Sequence, residues 1–287
     1  MESKESGFYA YASSPAEIGQ TIEQAVIISS VEVDTWKALD IPGHFISEKV
    51  LEGIDSCSFL VADISVLNFN VTYEIGYAIG SGKRVLLTKN KSIKDGILTI
   101  REVGIFDTLG YKEYQNSSEL SGFISSANKS NPLNIPNKIN IKSPVYLLEG
   151  MHKTDWASRI VSRIKKARYL FRTFDPNEQP RLSANDAINQ VSQSHGIVVP
   201  LLSSNAVGSE VHNMRGAFIA GLADGMGKAL CILQHEDDPV PLDYRDFVCM
   251  SYHPDDINDH IGDFAGKVAE AFQQDTNITT TSEDTFL

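Results

Sequence analysis

The stretch DISVLNFNVTYEIGYAIGSGKRVLLT, from Asp63 to Thr88, decides the fold. It places an acid at the end of an apolar strand, followed by a polar loop, a predicted helix that carries Glu74, and a second apolar strand. In open α/β sheets, ligands bind just beyond the carboxyl ends of the strands. The stretch therefore predicts a small-molecule site close to Glu74.

The rest of the chain repeats this alternation of strands and helices. CSFLVADI is a short apolar run bounded by polar residues, as expected of a buried parallel strand. HFISEKVLEGIDS repeats apolar residues at helical spacing. The alternation predicts an α/β protein with mostly parallel sheets and helices on their faces, in three layers.

The second half of the chain repeats the order of the first. HGIVVPLLS matches CSFLVADIS, which places Val199 at 199 − 61 = 138 residues after Val61. Lys228 follows its counterpart Lys83 by 228 − 83 = 145 residues. The difference is about seven residues, or two helical turns. The offsets predict a tandem duplication whose second copy has a longer loop or helix after its third strand.

These patterns divide the chain into four segments. Residues 1–127 are the first domain, with the candidate active site, and residues 128–143 are a linker rich in Asn, Pro and Lys. Residues 144–273 are the second domain. Residues 274–287 are polar and without periodicity, and they are expected to form a disordered tail or a tether to a further domain.

Composition narrows the class of protein. The net charge of −12 disfavours binding to nucleic acid, and no apolar run is long enough to span a membrane. The polar start MESKESGF contains no signal peptide, so we expect a cytoplasmic protein. Cys57, Cys231 and Cys249 lie in apolar runs and are expected to be buried thiols. The histidines show no ligand spacing, so neither a metal nor a cofactor is expected.

The polar and aromatic side chains of the first half are the candidates for a site. Asn70 is predicted to cap a helix that starts at Val71, which would place Glu74 about one turn inside it, near the positive end of the dipole. An ionised carboxylate beside a sugar ring can attack C1 and form a glycosyl intermediate. The catalytic candidates are Glu74 and Asp63. The substrate-binding candidates are Tyr9, Tyr11, Ser13, Ser14, Asn68, Asn70, Tyr73 and Tyr77.

Each of these candidates has a structural alternative. Glu74 could serve only to stabilise the helix dipole, and Asp63 could be a cap or a hydrogen-bond acceptor in the loop. Tyr73 and Tyr77 could fill the core. The serines after the first strand could cap the helix that starts at Pro15.

The second half offers a different set of candidates, which are Glu210, His212, Asn213 and Arg215. Counting back from the shared Gly-Lys pair, the counterpart of Glu74 is the apolar Ile219. Either Glu210 is a displaced nucleophile with His212 as its partner, or the copy is a degenerate structural or ligand-sensing half. His212 and Arg215 lie one turn apart, where they could hold a phosphate or belong to a solvated face.

The segment NVTYEIGYAIGSGKRVLL resembles the signature of the nucleoside 2-deoxyribosyltransferase family and of the related nucleotide-monophosphate N-glycosidases. The opening FYAYASS is similar to the start of TIR-like domains, which share the topology and use a glutamate to cleave glycosidic bonds, usually in NAD. The resemblance implies two tandem flavodoxin-like or TIR-like domains, with Glu74 as the nucleophile and Asp63, Asn68 and Asn70 lining the sugar pocket. The matching residues are Tyr73, Glu74, Ile75, Gly76, Ala78, Gly82 and Lys83.

The chain departs from the family at two places. YASSPAEIG stands where the family has glycine-rich backbone, and Val50 stands where it often has an aspartate. We therefore expect an N-glycosidase-type hydrolase acting on the base–sugar bond of a nucleotide, NAD(P) or a nucleoside monophosphate, rather than a transferase. The alternative is a non-catalytic module that senses nucleotides or self-associates, within a larger signalling or defence protein. The expected partner is a small-molecule nucleotide, and a homo-oligomer or a fusion to a further domain is compatible with either function.

Overall fold

The computed structural model describes residues 5–39, 42–93, 98–127, 131–136, 138–235 and 247–283, with side chains described as far as residue 274. The first half contains a five-stranded parallel sheet in the order β2-β1-β3-β4-β5. Its strands are β1 (Ser6–Ala10), β2 (Glu32–Thr35), β3 (Phe59–Asp63), β4 (Arg84–Asn90) and β5 (Tyr111–Tyr114). Its helices are α1 (Ala16–Ile28), α2 (Ile46–Ser56), α3 (Phe69–Gly80), α4 (Ile100–Val103) and α5 (Ser117–Ile124), with a 3-10 turn at Trp36–Ala38.

The second half contains another five-stranded parallel sheet, in the order β10-β9-β8-β6-β7. Its strands are β6 (Val145–Leu148), β7 (Phe171–Phe174), β8 (Gly196–Leu201), β9 (Ala229–His235) and β10 (Val248–Ser251). Its helices are α6 (Asp155–Lys166), α7 (Ala184–Ser192), α8 (Ser209–Gly225) and α9 (Pro254–Glu283).

Each half therefore has the flavodoxin-like strand order 2-1-3-4-5, and the predicted fold class is confirmed. The structure contains two α/β domains with parallel sheets and flanking helices. In the residues described, no helix combines the length and apolar character needed to cross a membrane.

Equivalent strands of the two halves confirm the duplication, but the offset between the third strands of the two copies differs by one residue from the predicted value. Val61 packs against α1 and α5 on the outer face of the first sheet, whereas Val199 packs into the core between the two sheets. The counterpart of Val61 is therefore Val198, at 198 − 61 = 137 residues, because side chains alternate between the two faces of a strand. Most of the extra length lies in α8, which has 17 residues where α3 has 12.

Two helix boundaries differ from the sequence predictions. The cap of α3 is Asn68, whose side chain accepts hydrogen bonds from the backbone N–H groups of Asn70 and Val71, and not Asn70. Glu74 therefore lies in the second turn, beyond the strongest field of the helix N-terminus. The last helix, α9, continues to Glu283, through most of the segment for which the sequence predicts a disordered tail. That segment contains no Gly or Pro to end a helix, and residues 284–287 lie outside the described part.

Helices α3 and α8 pack against each other between the two sheets and join the halves. A Cβ atom added to Gly76 would lie 2.3 Å from the carbonyl oxygen of Phe218, and one added to Gly221 would lie 2.0 Å from that of Tyr73. Since Tyr73 and Phe218 are counterparts, these two contacts are reciprocal. Gly80 and Gly225 repeat the pattern one turn later, against Leu222 and Tyr77 respectively. Four glycines in two Gly-x-x-x-Gly pairs thus bring the helix backbones into contact.

One continuous hydrophobic cluster surrounds this helix pair. It includes Phe8 and Ile75 from the first half and Tyr146, Phe218 and Ile232 from the second, all almost fully buried. The outer face of each sheet has a separate, smaller cluster. The central layer of the molecule is therefore shared by the two halves.

We expect Gly221→Ala to lower the free energy of unfolding by at least about 2 kcal/mol, because the new methyl group meets a backbone carbonyl that cannot move aside by a rotamer change. Urea denaturation measures the effect. The matched control is Gly262→Ala in α9, where a Cβ meets nothing within 4 Å. Replacement of Gly by Ala in an open helix position should stabilise by about 0.5–1 kcal/mol. Equal effects at the two positions would show that the close helix contact does not constrain the fold.

Candidate functional site

A cavity of about 200 Å³ lies at the carboxyl ends of β1 and β3. In the strand order 2-1-3-4-5, the chain leaves these two neighbouring strands in opposite directions, which opens a crevice between the loops. The cavity lies in that crevice. Its polar and aromatic lining consists of Tyr11, Ser13, Trp36, Asn68, Asn70 and Glu74, and its apolar lining includes Ile46 and Val50.

Glu74 contributes the carboxylate of this cavity. Its side chain is only 8% exposed, and it projects from the second turn of α3. Asn68 and Asn70 precede it at the start of the helix. The Asn68 side-chain oxygen is occupied by its capping bonds of 2.8 and 3.2 Å, so its amide nitrogen is the group that can donate to a ligand.

An aromatic wall stands opposite the helix. The rings of Tyr11 and Trp36 are 6.0 Å apart, with 46° between their planes. The Tyr11 hydroxyl donates a 2.9 Å hydrogen bond to Glu23, which also forms an ion pair with Lys37. Burial and the neighbouring Glu23 raise the pKa of Tyr11. The tyrosine is thus held in place as a neutral donor and is not available as an acid near neutral pH.

Asp63 does not border the cavity. It shares the outer face of the first sheet with Val61, and its carboxylate accepts a 2.7 Å hydrogen bond from the Tyr114 hydroxyl and a 2.9 Å bond from the backbone N–H of Ser65. Burial raises the pKa of Asp63, and these hydrogen bonds oppose the shift. Asp63 therefore links β3 to β5 and lies apart from Glu74.

Four further candidates of the first half, Tyr9, Ser14, Tyr73 and Tyr77, also lie outside the cavity. Tyr9 is buried and hydrogen-bonded to Thr88. The Tyr73 hydroxyl donates a 2.8 Å hydrogen bond to Asp224 in α8, and Tyr77 donates to Asp55. Ser14 is exposed and does not line the cavity, whereas Ser13 does. The structure thus brings together five of the predicted residues, which are Tyr11, Ser13, Asn68, Asn70 and Glu74.

Among the polar and aromatic lining residues, Trp36 is the one that the sequence analysis missed. It follows β2 directly and opens the 3-10 turn. An aromatic residue at the carboxyl end of a parallel strand faces the edge where ligands bind. Its position directly after SVEVDT is the signal that identifies it.

The candidate residues of the second half mainly form hydrogen bonds to backbone groups of neighbouring loops. Asn213 makes two hydrogen bonds to the backbone of Leu202, of 2.8 and 2.9 Å. The His212 ring nitrogen Nε2 lies 2.7 Å from the carbonyl oxygen of Pro200. Glu210 is exposed, and Ile219 is fully buried at the position equivalent to Glu74.

Arg215 connects the two halves. Its guanidinium donates to the carbonyl oxygens of Glu102 and Val103 at the end of α4, and to that of Pro180, at 2.8 to 3.0 Å. The same group lies over the ring of Phe174, at 5.3 Å from the ring centre. A side chain with these four contacts is fixed, and it holds α4 of the first half against the second half.

The thiols and metal-ligating residues form no further centre in the described ranges. Cys57 and Cys231 are buried free thiols, and Cys249 is partly exposed. No group of three or more His, Cys, Asp or Glu residues is placed to hold a metal ion in the part of the chain that the structure describes.

Comparison with known proteins adds little to this geometry. No family model matches the sequence, and no curated protein matches it. Among solved structures, the chain is similar to one described as a two-component system response regulator/GGDEF domain protein. The TM-score is 0.30 and the identity 10%, over 93% of this chain and 99% of the other. A likeness at this level supports no conclusion about function.

His212 makes the stability of the second half depend on pH. Burial lowers its pKa from 6.5 to about 4, and the nearby Arg215 acts in the same direction. The folded protein therefore keeps His212 neutral, while the unfolded chain binds a proton below pH 6.5. The contribution of His212 to the free energy of unfolding is therefore fully present above pH 6.5 and is lost as the pH falls toward 4.

We expect the parent protein to lose about 2 kcal/mol more than His212→Gln between pH 7.5 and pH 5, as measured by urea unfolding at each pH. Gln retains a donor for the Pro200 carbonyl and does not titrate. Equal pH dependence in the two proteins would mean that His212 is not kept neutral by burial.

Proposed function

We propose that the chain is an N-glycosidase-type hydrolase that cleaves the base–sugar bond of a nucleotide with Glu74 as the nucleophile. The supporting observation is the position of Glu74, whose buried carboxylate borders a cavity at the carboxyl ends of β1 and β3. Donor groups of Asn68 and Asn70 and the rings of Tyr11 and Trp36 lie around the same space. The resemblance of NVTYEIGYAIGSGKRVLL to nucleoside 2-deoxyribosyltransferases and nucleotide-monophosphate N-glycosidases points to the same residue.

The reaction would take two steps. In the first, a Glu74 oxygen forms a bond to C1 of the sugar, and the base leaves with the electron pair of the glycosidic bond and takes up a proton from water. In the second, a water molecule attacks C1, its proton passes to solvent, and the Glu74 carboxylate is released. The amides at the start of α3 would hold the sugar hydroxyls, and the aromatic wall would stack on the base.

The cavity size bears on the substrate. A volume of about 200 Å³ suits one sugar and part of a base, not a whole dinucleotide. The remaining phosphates or second nucleoside of NAD(P) would extend toward the surface. The cavity is therefore compatible with both substrate classes, NAD(P) and nucleoside monophosphates.

One observation favours a second candidate function, nucleotide sensing without turnover. Glycosidases generally use two carboxyl groups, one of which transfers protons. Asp63, the second carboxylate expected here, is hydrogen-bonded to Tyr114 on the other face of the sheet. A cavity in which Glu74 is the single carboxylate among the described lining residues could bind a nucleotide and leave it intact.

Glu74→Gln is expected to lower the rate of base release by about 10³-fold or more, since the amide keeps the shape of the side chain and cannot act as the nucleophile. The assay incubates the full chain with NAD, NADP, NMPs and dNMPs and detects free base by mass spectrometry. Glu17→Gln, at an exposed position of α1, is the matched control and should retain the parent rate.

Two results would reject the hydrolase. One is base release by Glu74→Gln at the parent rate. The other is saturable binding of a nucleotide by the parent without any free base, which would instead support the sensing function.

A further inference from the structure

The second half contains a crevice of its own at the carboxyl ends of β6 and β8, the pair that corresponds to β1 and β3. Two cavities open there, of about 250 and 230 Å³. The larger one lies beside α6 and includes Trp156 and Leu202 in its lining. The smaller one lies beside α8 and includes Phe174 and His212. The fold thus places two adjoining cavities where an α/β sheet of this strand order binds ligands.

Glu149 borders both cavities. It directly follows β6 and is the counterpart of Tyr11 at 149 − 11 = 138 residues, the offset that relates the paired strands β1–β2 and β6–β7. In the described part of the chain, its backbone N–H donates to Phe174, and no hydrogen bond or ion pair engages its carboxylate. The half-buried carboxylate therefore faces a cavity instead of a protein partner.

The surroundings of Glu149 disfavour the ionised form of its side chain. Burial raises the pKa of Glu149, and the nearby carboxylates of Asp175 and Glu178 act in the same direction, whereas the ammonium groups of Lys153 and Lys165 oppose them. A carboxylate kept at such a position without a partner costs stability, and such costs are typical of functional sites. Hydrogen-bond donors on a ligand would stabilise its ionised form.

The charges near Glu149 indicate which hydrogen-bond donors of a ligand its carboxylate could bind. Phosphate groups would be repelled by the three carboxylates of Glu149, Asp175 and Glu178. A cationic ligand would compete with Lys153, whose charge already acts on Glu149. Neutral hydroxyl groups satisfy the carboxylate without either cost. In α/β nucleotide-binding sites, an acidic side chain accepts hydrogen bonds from the ribose hydroxyls.

We propose that the second half binds a ribonucleoside in this crevice, with the Glu149 carboxylate accepting hydrogen bonds from the ribose 2′- and 3′-hydroxyls. The base lies in the larger cavity, whose wall includes the half-buried indole of Trp156 and the side chain of Leu202. The larger cavity, of about 250 Å³, has room for the base, and Glu149 borders it where the ribose would follow. This site is separate from the Glu74 cavity and does not depend on the proposed hydrolysis.

The test uses the tryptophan content of the chain. The sequence contains two tryptophans, Trp36 and Trp156. In the full-length Trp36→Phe protein, tryptophan fluorescence therefore comes from Trp156 alone, and Glu149→Gln distinguishes binding in the proposed crevice from binding in the neighbouring cavity that Trp156 shares with His235. Adenosine, guanosine, cytidine and uridine are titrated, each beside its 2′-deoxy form.

We expect saturable binding of at least one ribonucleoside, with the 2′-deoxy form about 10-fold weaker. Glu149→Gln should weaken the ribonucleoside about 10-fold and remove the preference over the 2′-deoxy form, since a hydrogen bond to a charged group is worth about 1.5–3 kcal/mol. The same variant should fold with a melting temperature at or above that of the parent, because it removes repulsion from Asp175 and Glu178. The melting temperature separates loss of a ligand contact from loss of structure.

Two variants complete the experiment. Glu178→Gln changes an exposed neighbour that lines neither cavity and should leave the affinity unchanged. Leu202→Phe narrows the larger cavity without adding a tryptophan and should weaken binding by about 10-fold or more. The absence of saturation by every ribonucleoside up to millimolar concentration would overturn the proposal. So would an unchanged affinity in Glu149→Gln, or a fluorescence response lost in Glu74→Gln and retained in Glu149→Gln.

Discussion

The backbone contact between α3 and α8 is the constraint on which the rest of the structure depends. Gly76 and Gly221 each lie against a carbonyl of the opposite helix, so the two helices approach more closely than side chains would allow. Because the contacts are reciprocal, equivalent residues of the two copies meet where α3 packs against α8. The shared core follows from this arrangement, since Phe8 and Tyr146 belong to one cluster that neither half could close alone. Arg215 strengthens the same junction from the side, through its bonds to the end of α4.

Much of this fold could be predicted from the sequence, because short apolar runs and amphipathic stretches alternate with little ambiguity. The residues at which the helices begin and end were harder to predict from the sequence. Asn68 and Asn70 are both good caps, and only the geometry of the loop decides that Asn68 accepts the two N–H bonds. The glycine pairs of α3 and α8 are visible in the sequence, yet the spacing alone does not say that the two helices are each other's partners. The helical extension of α9 to Glu283 has no periodic apolar signal at all.

The sequence predicts which residues of the candidate site follow the end of a strand. It predicts less well on which face of the sheet a residue within a strand lies. Glu74, Asn68 and Asn70 lie together because all three belong to the loop and helix after β3. Asp63 is expected beside them from the sequence because it ends the strand that leads to the crevice. Side chains alternate along a strand, however, so Asp63 shares the outer face with Val61 and meets Tyr114 instead of α3. The same alternation corrects the counterpart of Val61 from Val199 to Val198.

The two copies have diverged because burial differs at equivalent positions. Ile219 replaces Glu74 at a place with no exposure, where an ionised carboxylate would lack solvent and partner. The longer α8 then carries its polar groups nearer to its start, where His212, Asn213 and Arg215 bond to backbone carbonyls of neighbouring loops. Those bonds occupy the polar groups of these three side chains. The half-buried carboxylate at the crevice of the second half is that of Glu149, which directly follows β6, whereas the carboxylate at the first crevice is that of Glu74 in α3. The two copies therefore carry these carboxylates on different elements of the same fold.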